Sequence, residues 1–286
     1  MPGWQVDSKE YDVLIVGGGI IGLSTAMQLV HKHGPRLRVA VVEKEEELAT
    51  HQTGHNSGVI HSGIYYRPGS QKAAFCVGGA RRLRQFCEEN EIDFQQCGKT
   101  IVATDESELG RLENLYQRGV DNGVQGLELV GPERLNEIEP YVQGIKALWA
   151  PQTGIIDYVK VASAYASRFQ EEGGDIYTGA AVHQISENNG SLAVTTLKGL
   201  LHAKHLINCA GLYADRVAEM TGELTNVRII PFRGEYYTLR PESQFMVKGL
   251  IYPVPDPAFP FLGVHFTRNI HGQVEAGPNA VLALSR

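Results

Sequence analysis

Three glycines and one acid carry the first chemical signal in this chain. Gly17, Gly19 and Gly22 stand in the spacing G-x-G-x-x-G, and Glu43 follows Gly22 by 21 residues. Each has a separate job in holding a dinucleotide. Gly17 permits a tight turn, Gly19 lets a pyrophosphate approach bare backbone, and Gly22 lets a helix close on a strand. The N-terminus of that helix presents unpaired N–H groups and a positive dipole end to phosphates. Glu43 can accept hydrogen bonds from both ribose hydroxyls, and its charge disfavours a 2′-phosphate. Alone, such a motif also describes a Gly-rich turn packed on its neighbour, so the flanking elements decide.

Those elements are in register with the motif. Tyr11–Val16 is a short β-branched apolar run and reads as a buried parallel strand. Gly17–Gly22 reads as a turn, and Leu23–His33 as a helix with Leu23, Ala26, Met27 and Val30 at helical spacing. Gly34-Pro35 stops it, and Arg38–Glu43 reads as the next strand. Together they form a β-α-β unit. Regular βα units do not continue: a Gly/Ser-rich loop spans His51–Tyr66, and α/β rhythm returns only near residue 155. A nucleotide-binding domain split by an insertion favours FAD over NAD.

Further helices are expected over Ala74–Asn90 (Phe75, Leu83 and Phe86 on one side, with a solvated Arg81, Arg82, Arg84 face), Glu106–Asn122, Glu133–Ile138 and Val159–Glu172. Strands are expected over Ala181–Ile185, Leu192–Leu197, His205–Cys209, Arg233–Leu239 and Phe261–Phe266, with a turn at Asn189-Gly190. The expected fold is α/β: a Rossmann-type FAD-binding domain (1–72 and 153–228) interleaved with an α+β substrate domain (73–152 and 229–286) on a mostly antiparallel sheet.

Composition narrows the function classes. The chain has 286 residues, 26 Lys+Arg against 32 Asp+Glu, and 32 glycines. Glycine exceeds its usual share of roughly 7%, as close backbone approaches require. The mild acidity leaves no footprint for nucleic acid. Cys76, Cys87, Cys97 and Cys209 form no C-x-x-C pair and read as reduced structural thiols; no metal site is expected. The apolar run Val13–Val30 contains three consecutive glycines, each costing a helix interior roughly 1 kcal/mol relative to Ala, so it does not read as a membrane span.

Longer motifs then become recognisable. Thr53-Gly-His-Asn-Ser-Gly-Val-Ile-His-Ser-Gly-Ile-Tyr-Tyr66, Thr153-Gly-Ile-Ile-Asp-Tyr158, Cys209-Ala-Gly-Leu-Tyr-Ala-Asp215, Pro231-Phe-Arg-Gly-Glu-Tyr236, Tyr252-Pro-Val-Pro-Asp256, Phe259-Pro-Phe-Leu-Gly-Val-His-Phe-Thr267 and Gly277-Pro-Asn-Ala-Val-Leu282 run almost the length of the chain. They resemble the FAD-dependent L-2-hydroxyglutarate dehydrogenase/oxidase family, among the D-amino-acid-oxidase-like flavoproteins. The resemblance implies oxidation of L-2-hydroxyglutarate to 2-oxoglutarate, with hydride passing to FAD and electrons onward to a quinone or other acceptor. It implies a cytoplasmic protein peripheral on the inner face of the cytoplasmic membrane, or a mitochondrial one in a eukaryote. No Arg occurs in the first dozen residues, which leans towards the bacterial case. Family members continue beyond the point where this chain stops at Ala280–Leu284, Ser285 and Arg286, and that continuation returns to the FAD domain. The sequence therefore reads as truncated at its C-terminus.

Oxidising a secondary alcohol needs a base for the hydroxyl proton, a task suited to His. The resemblance implies His265 and His61 as base candidates, with His265 favoured. A dicarboxylate substrate needs cationic or multi-donor partners. Arg233, Tyr65 and Tyr236 are the substrate-binding candidates, and Arg67, Lys72 and Lys99 stay open, unranked, as second clamps. A salt bridge from Arg233 to Glu235 and ordinary packing of the tyrosines are the competing readings. Cofactor contacts are expected from Lys44, Thr53, Ser57, the backbone at Val182, and Ala210-Gly211 at a strand end. Two functional alternatives remain: a flavin-dependent amine or amino-acid oxidase of the same fold, and a non-catalytic fragment.

Overall fold

In the computed structural model, which describes residues 9–188, 190–222, 226–258 and 263–286, the chain divides into two units. One comprises the chain up to Asn56, Tyr158–Pro231 and Ala283–Arg286; the other comprises Ser57–Asp157 and Phe232–Leu282. The division falls at Ser57, so 57–72 groups with the second unit and Ala283–Arg286 with the first.

The first unit is built on a six-stranded sheet. In spatial order its strands are Val182–Asn188, Ser191–Thr196, Gly199–Asn208, Glu10–Val16, Val39–Val42 and Asp175–Tyr177. The last four run parallel, and the first three form an antiparallel meander. Glu10–Val16 lies at the centre of the parallel part, and Leu14 and Ile15 are fully buried, as a strand covered on both faces requires. The helix Ile20–His33 buries Leu23, Ala26, Met27 and Val30 and ends at Gly34, whose φ of +70° suits glycine. The helix starts three residues earlier than the sequence pattern indicates, because Gly22 joins its first turn.

The second unit is built on a seven-stranded sheet: Tyr237–Thr238, Val274–Gly277, His265–Arg268, Leu250–Pro253, Lys99–Ala103, Lys146–Ala150 and Glu128–Val130. Its neighbouring strands pair antiparallel, except Lys99–Ala103 with Leu250–Pro253, which run parallel. Ile101, Leu148, Leu250 and Tyr252 pack with Leu112 and Leu115 of the helix Leu109–Asp121. A smaller three-stranded sheet joins Val59–Ile60, Gly154–Ile156 and Phe94–Gln95.

Several expectations are corrected. The helix Gln71–Glu89 buries Ala73, Ala80 and Cys87, while Phe75 is 72% exposed; small residues, not the large apolar ones, form its packed stripe. Arg84 is not purely solvated: its Nη1 donates to Gln152 O at 2.9 Å. In place of one strand over Arg233–Leu239 there are two short pieces, Phe232–Arg233 and Tyr237–Thr238, pairing with different partners. Of the strand expected over Phe261–Phe266, Phe261 and Leu262 lie outside the described residues, Gly263 and Val264 are not in a strand, and the strand present is His265–Arg268. Phe259–Leu262 of the quoted motif, and Asn189 of the expected turn, lie outside the described residues.

Candidate active site

In the first unit, glycine is demanded at two of the three motif positions. A Cβ on Gly22 would lie 1.9 Å from Gly17 O, so any side chain there would push the helix off its strand. Gly17 has φ +117°, and its Cβ would lie 2.3 Å from Cys209 O. Gly19 is different: its Cβ would meet only Thr53 Oγ1, at 3.3 Å. Gly19 caps the helix without a side-chain hydrogen bond, and no acid stands in the first turn.

Glu43 stands beside this turn. Gly18 N–H donates to Glu43 Oε2 at 2.7 Å and Glu45 N–H donates to Oε1 at 3.0 Å, which fixes the carboxylate plane. Thr53 Oγ1 accepts from Ile20 N–H at 3.0 Å, tying the loop to the helix start. Lys44 is exposed, pairs with Glu45 and lies 5.1 Å over the Tyr213 ring. Val182 opens its strand at a register shift between Val182 and Gln184. Ala210 N–H donates to Asn208 Oδ1 at 3.2 Å, and Gly211 (φ +54°) has open space where a Cβ would stand. Ser57 begins the second unit, beside Gly58, whose φ of +67° places it against Ile156 O.

In the second unit, three neighbouring strands gather a set of polar side chains. The register Leu250↔Thr267 and Ile251↔Phe266 brings Tyr252 opposite His265, and the two rings stack with centroids 3.9 Å apart. The parallel register Leu250↔Lys99 and Tyr252↔Ile101 puts Lys99 diagonally from Tyr252 on the next strand. Lys99 is 1% exposed, with Nζ 4.0 Å from the Tyr252 ring centroid and 5.1 Å from that of Tyr65. Its Nζ lies 3.5 Å from His61 Nδ1, and His61 directly follows the Val59–Ile60 strand. Gly98, with φ +75°, lets Trp149 cover the start of the Lys99 strand, since a Cβ there would lie 1.9 Å from the indole.

The electrostatics follow from burial. His265 is 3% exposed, and its Nδ1 lies 2.9 Å from Gly263 O. Because a carbonyl only accepts, Nδ1 carries the proton and Nε2 of the neutral ring keeps its lone pair. Burial lowers the His265 pKa, opposed by the Gly263 bond. Burial, then Lys99 and His265, push His61 down to about 3. Burial pushes Lys99 down to about 7. The Tyr65 hydroxyl is buried with no partner among the described residues, and burial raises its pKa. A buried neutral imidazole with a free lone pair is able to accept a proton from an alcohol.

The other sequence candidates stand differently. Arg233 Nη2 donates to Glu235 Oε1 at 2.5 Å, and its side chain is 66% exposed, so the competing salt bridge is present. The Tyr236 ring closes over Gly277, whose Cβ would lie 2.7 Å from Tyr236 Cδ1; burial raises its pKa. Arg67 and Lys72 are exposed. The buried position distinguishes Lys99 from them. Tyr252 is readable only as part of a motif, and the sequence reading assigns no element to Lys99–Ala103. Its signal was Thr-Ile-Val after Gly98, a β-branched run behind a turn residue. Among the described residues no group of His, Cys, Asp and Glu is arranged to hold a metal.

A family model described as "FAD dependent oxidoreductase" matches residues 12–283. The chain is 51% identical to L-2-hydroxyglutarate dehydrogenase of Indibacter alkaliphilus, over 97% of this chain and 69% of that protein. It is 47% identical to the mitochondrial L-2-hydroxyglutarate dehydrogenase of Bos taurus, over 99% and 64% respectively. The chain thus spans about two thirds of the length of these relatives. Its fold is similar to that of FAD-bound L-alpha-glycerophosphate oxidase from Mycoplasma pneumoniae, with TM-score 0.85, 28% identity, and 97% and 73% of the two chains covered. Glycine oxidase from Geobacillus kaustophilus shares the fold at TM-score 0.79 and 21% identity, over 98% and 74%. On the near-complete model match and the identity to curated relatives, the chain belongs to the FAD-dependent oxidoreductase family, in the L-2-hydroxyglutarate dehydrogenase group.

Proposed function

We propose that this chain carries the oxidation of L-2-hydroxyglutarate to 2-oxoglutarate, with FAD held by the first unit. The cradle there fits the cofactor on two observations: a helix N-terminus whose N-cap, Gly19, supplies no side chain and whose first turn carries no acid, and glycines whose replacement would fill the turn. Gly17, Gly19, Gly22 and the Glu43 carboxylate are the residues that would hold it, with Lys44, Thr53, Ser57, Val182, Ala210 and Gly211 as further contacts. Bound there, FAD supplies an acceptor for the hydride that leaves C2.

The observation that carries the reading is the state of His265. It is buried, its Nδ1 proton is committed to Gly263 O, and its Nε2 lone pair is free to take the hydroxyl proton as C2 becomes a carbonyl. A lowered pKa keeps the ring unprotonated at neutral pH. Arg233, Tyr65 and Tyr236 are the proposed partners of the two carboxylates; for Arg233 this requires release from Glu235. His61 lies in the same buried cluster as His265.

Passage of electrons to a quinone, and a peripheral position on the cytoplasmic membrane, complete the proposal and rest on the family resemblance. The eukaryotic relatives are named mitochondrial. No helix among the described residues is long and apolar enough to cross a membrane.

Dye reduction by the purified protein tests the reading against L- and D-2-hydroxyglutarate, glycine, sarcosine and D-alanine. Reduction with the L-hydroxy acid alone is expected. Reduction only with the amines would overturn it.

A further inference from the structure

Lys99 is a cation without an anion. Among the described residues no carboxylate pairs with it, although its side chain is fully buried at the start of a central strand. A desolvated lysine with no counter-ion is expensive to keep and marks a functional position more often than a structural one. What surrounds it is aromatic or imidazole: the faces of Tyr252 and Tyr65, and His61 Nδ1. The ring faces favour the charged form, and a charged ammonium has donors only.

We propose that Lys99 is a positioning residue that fixes the tautomer of His61: its Nζ–H donates to His61 Nδ1, so the imidazole keeps its proton on Nε2. The two histidines of the cluster then become complementary. His61 presents an Nε2–H donor, while His265, its Nδ1–H bound to Gly263 O, presents an Nε2 acceptor. A 2-hydroxycarboxylate carries the matching pair, a hydroxyl that donates and an adjacent carboxylate that accepts. This extension rests on the proposed reading of the site as one that oxidises alcohols.

The cluster has a pH signature. The groups facing Lys99 are His61, His265, Tyr65, Tyr252, Cys76 and Cys97. Burial lowers both histidines, raises Tyr65 and Cys76, and pushes Cys97 to about 11 and Tyr252 to about 12. Both histidines are already neutral when Lys99, at about 7, begins to lose its proton as pH rises, and both tyrosines and both cysteines follow later. Once neutral, it can accept as well as donate, and the His61 tautomer is no longer dictated.

The test is nitrogen NMR on histidine-labelled, flavin-loaded protein, with the His61 resonances assigned through His61→Gln. In the wild type below pH 7, His61 Nδ1 should be the unprotonated nitrogen and Nε2 the protonated one. In Lys99→Met, which removes charge and donor but fills the same space, the His61 pKa should rise by at least one unit. The alkaline limb of kcat/KM near pH 7 should disappear, with kcat/KM roughly tenfold lower. A wild-type proton on Nδ1, or an unchanged His61 titration in Lys99→Met, would overturn the proposal. The wild-type measurement decides it even where Lys99→Met fails to fold. Because the tautomer is read without turnover, an enzyme that ignores L-2-hydroxyglutarate would sink the functional reading while the His61 assignment is judged separately.

Discussion

Gly17 and Gly22 serve the first unit by having no side chain, whereas Lys99 and His265 serve the second by burying side chains that water would normally solvate. In the proposed nucleotide cradle, backbone N–H groups and a helix terminus would form the binding surface, and one carboxylate orients the turn. In the polar cluster the work falls to side chains held by cross-strand registers, and desolvation sets their protonation states. The contrast teaches that backbone sites are sensitive to added volume and side-chain sites to lost charge. The two kinds of damage should therefore separate in experiment.

Adding volume to the cradle gives the largest expected effect. Gly22→Ala places a Cβ 1.9 Å from Gly17 O, and loss of several kcal/mol of stability together with loss of bound flavin is expected, read by urea melts and visible absorbance. A Gly22→Ala protein that melts normally and stays yellow would break the contrast at its first term. Next, His265→Ala should lower kcat by about 10²-fold or more while flavin content is unchanged, since its proposed role rests on the Nε2 lone pair. Unchanged kinetics would remove it from the mechanism.

Glu43→Ala should weaken FAD while leaving KM for the hydroxy acid near its original value, measured by flavin titration of stripped protein. Intact flavin occupancy with lost substrate affinity would overturn the ribose assignment. Acid should act on the second unit through His61. Its folded pKa of about 3 lies below the ordinary 6.5, so the unfolded chain binds the extra proton between those values. Its contribution to stability is present above pH 6.5 and declines as pH falls towards 3, and His61→Gln should flatten that slope in denaturant melts. The smallest effect belongs to Arg233→Gln. The guanidinium is exposed and already paired with Glu235, so stability should change by less than about 0.5 kcal/mol. A rise in KM without loss of kcat would mark it as a carboxylate partner.

Much of the cradle was legible in the sequence. Glycine spacing, the buried strand Glu10–Val16 and the acid at Glu43 are local signals, each set by residues within a few positions of one another. The polar cluster was legible in part. His61 and His265 stand in recognisable motifs, but Lys99 was one of three unranked cations. Its place depends on a parallel pairing with Leu250, 151 residues away, and no local pattern announces that register. Phe75 was misread for the complementary reason: helical spacing says which residues share a face but not whether another element covers it.

The central claim is that His265 takes the hydroxyl proton of an L-2-hydroxy acid at a site served by FAD. Anaerobic rapid mixing of the flavin-loaded protein with L-2-hydroxyglutarate tests it most directly, by following loss of flavin absorbance. The account predicts rapid bleaching with the L isomer, none with the D isomer, and bleaching about 10²-fold slower in His265→Ala. Equal bleaching by both isomers, or a His265→Ala rate matching the wild type, would contradict it.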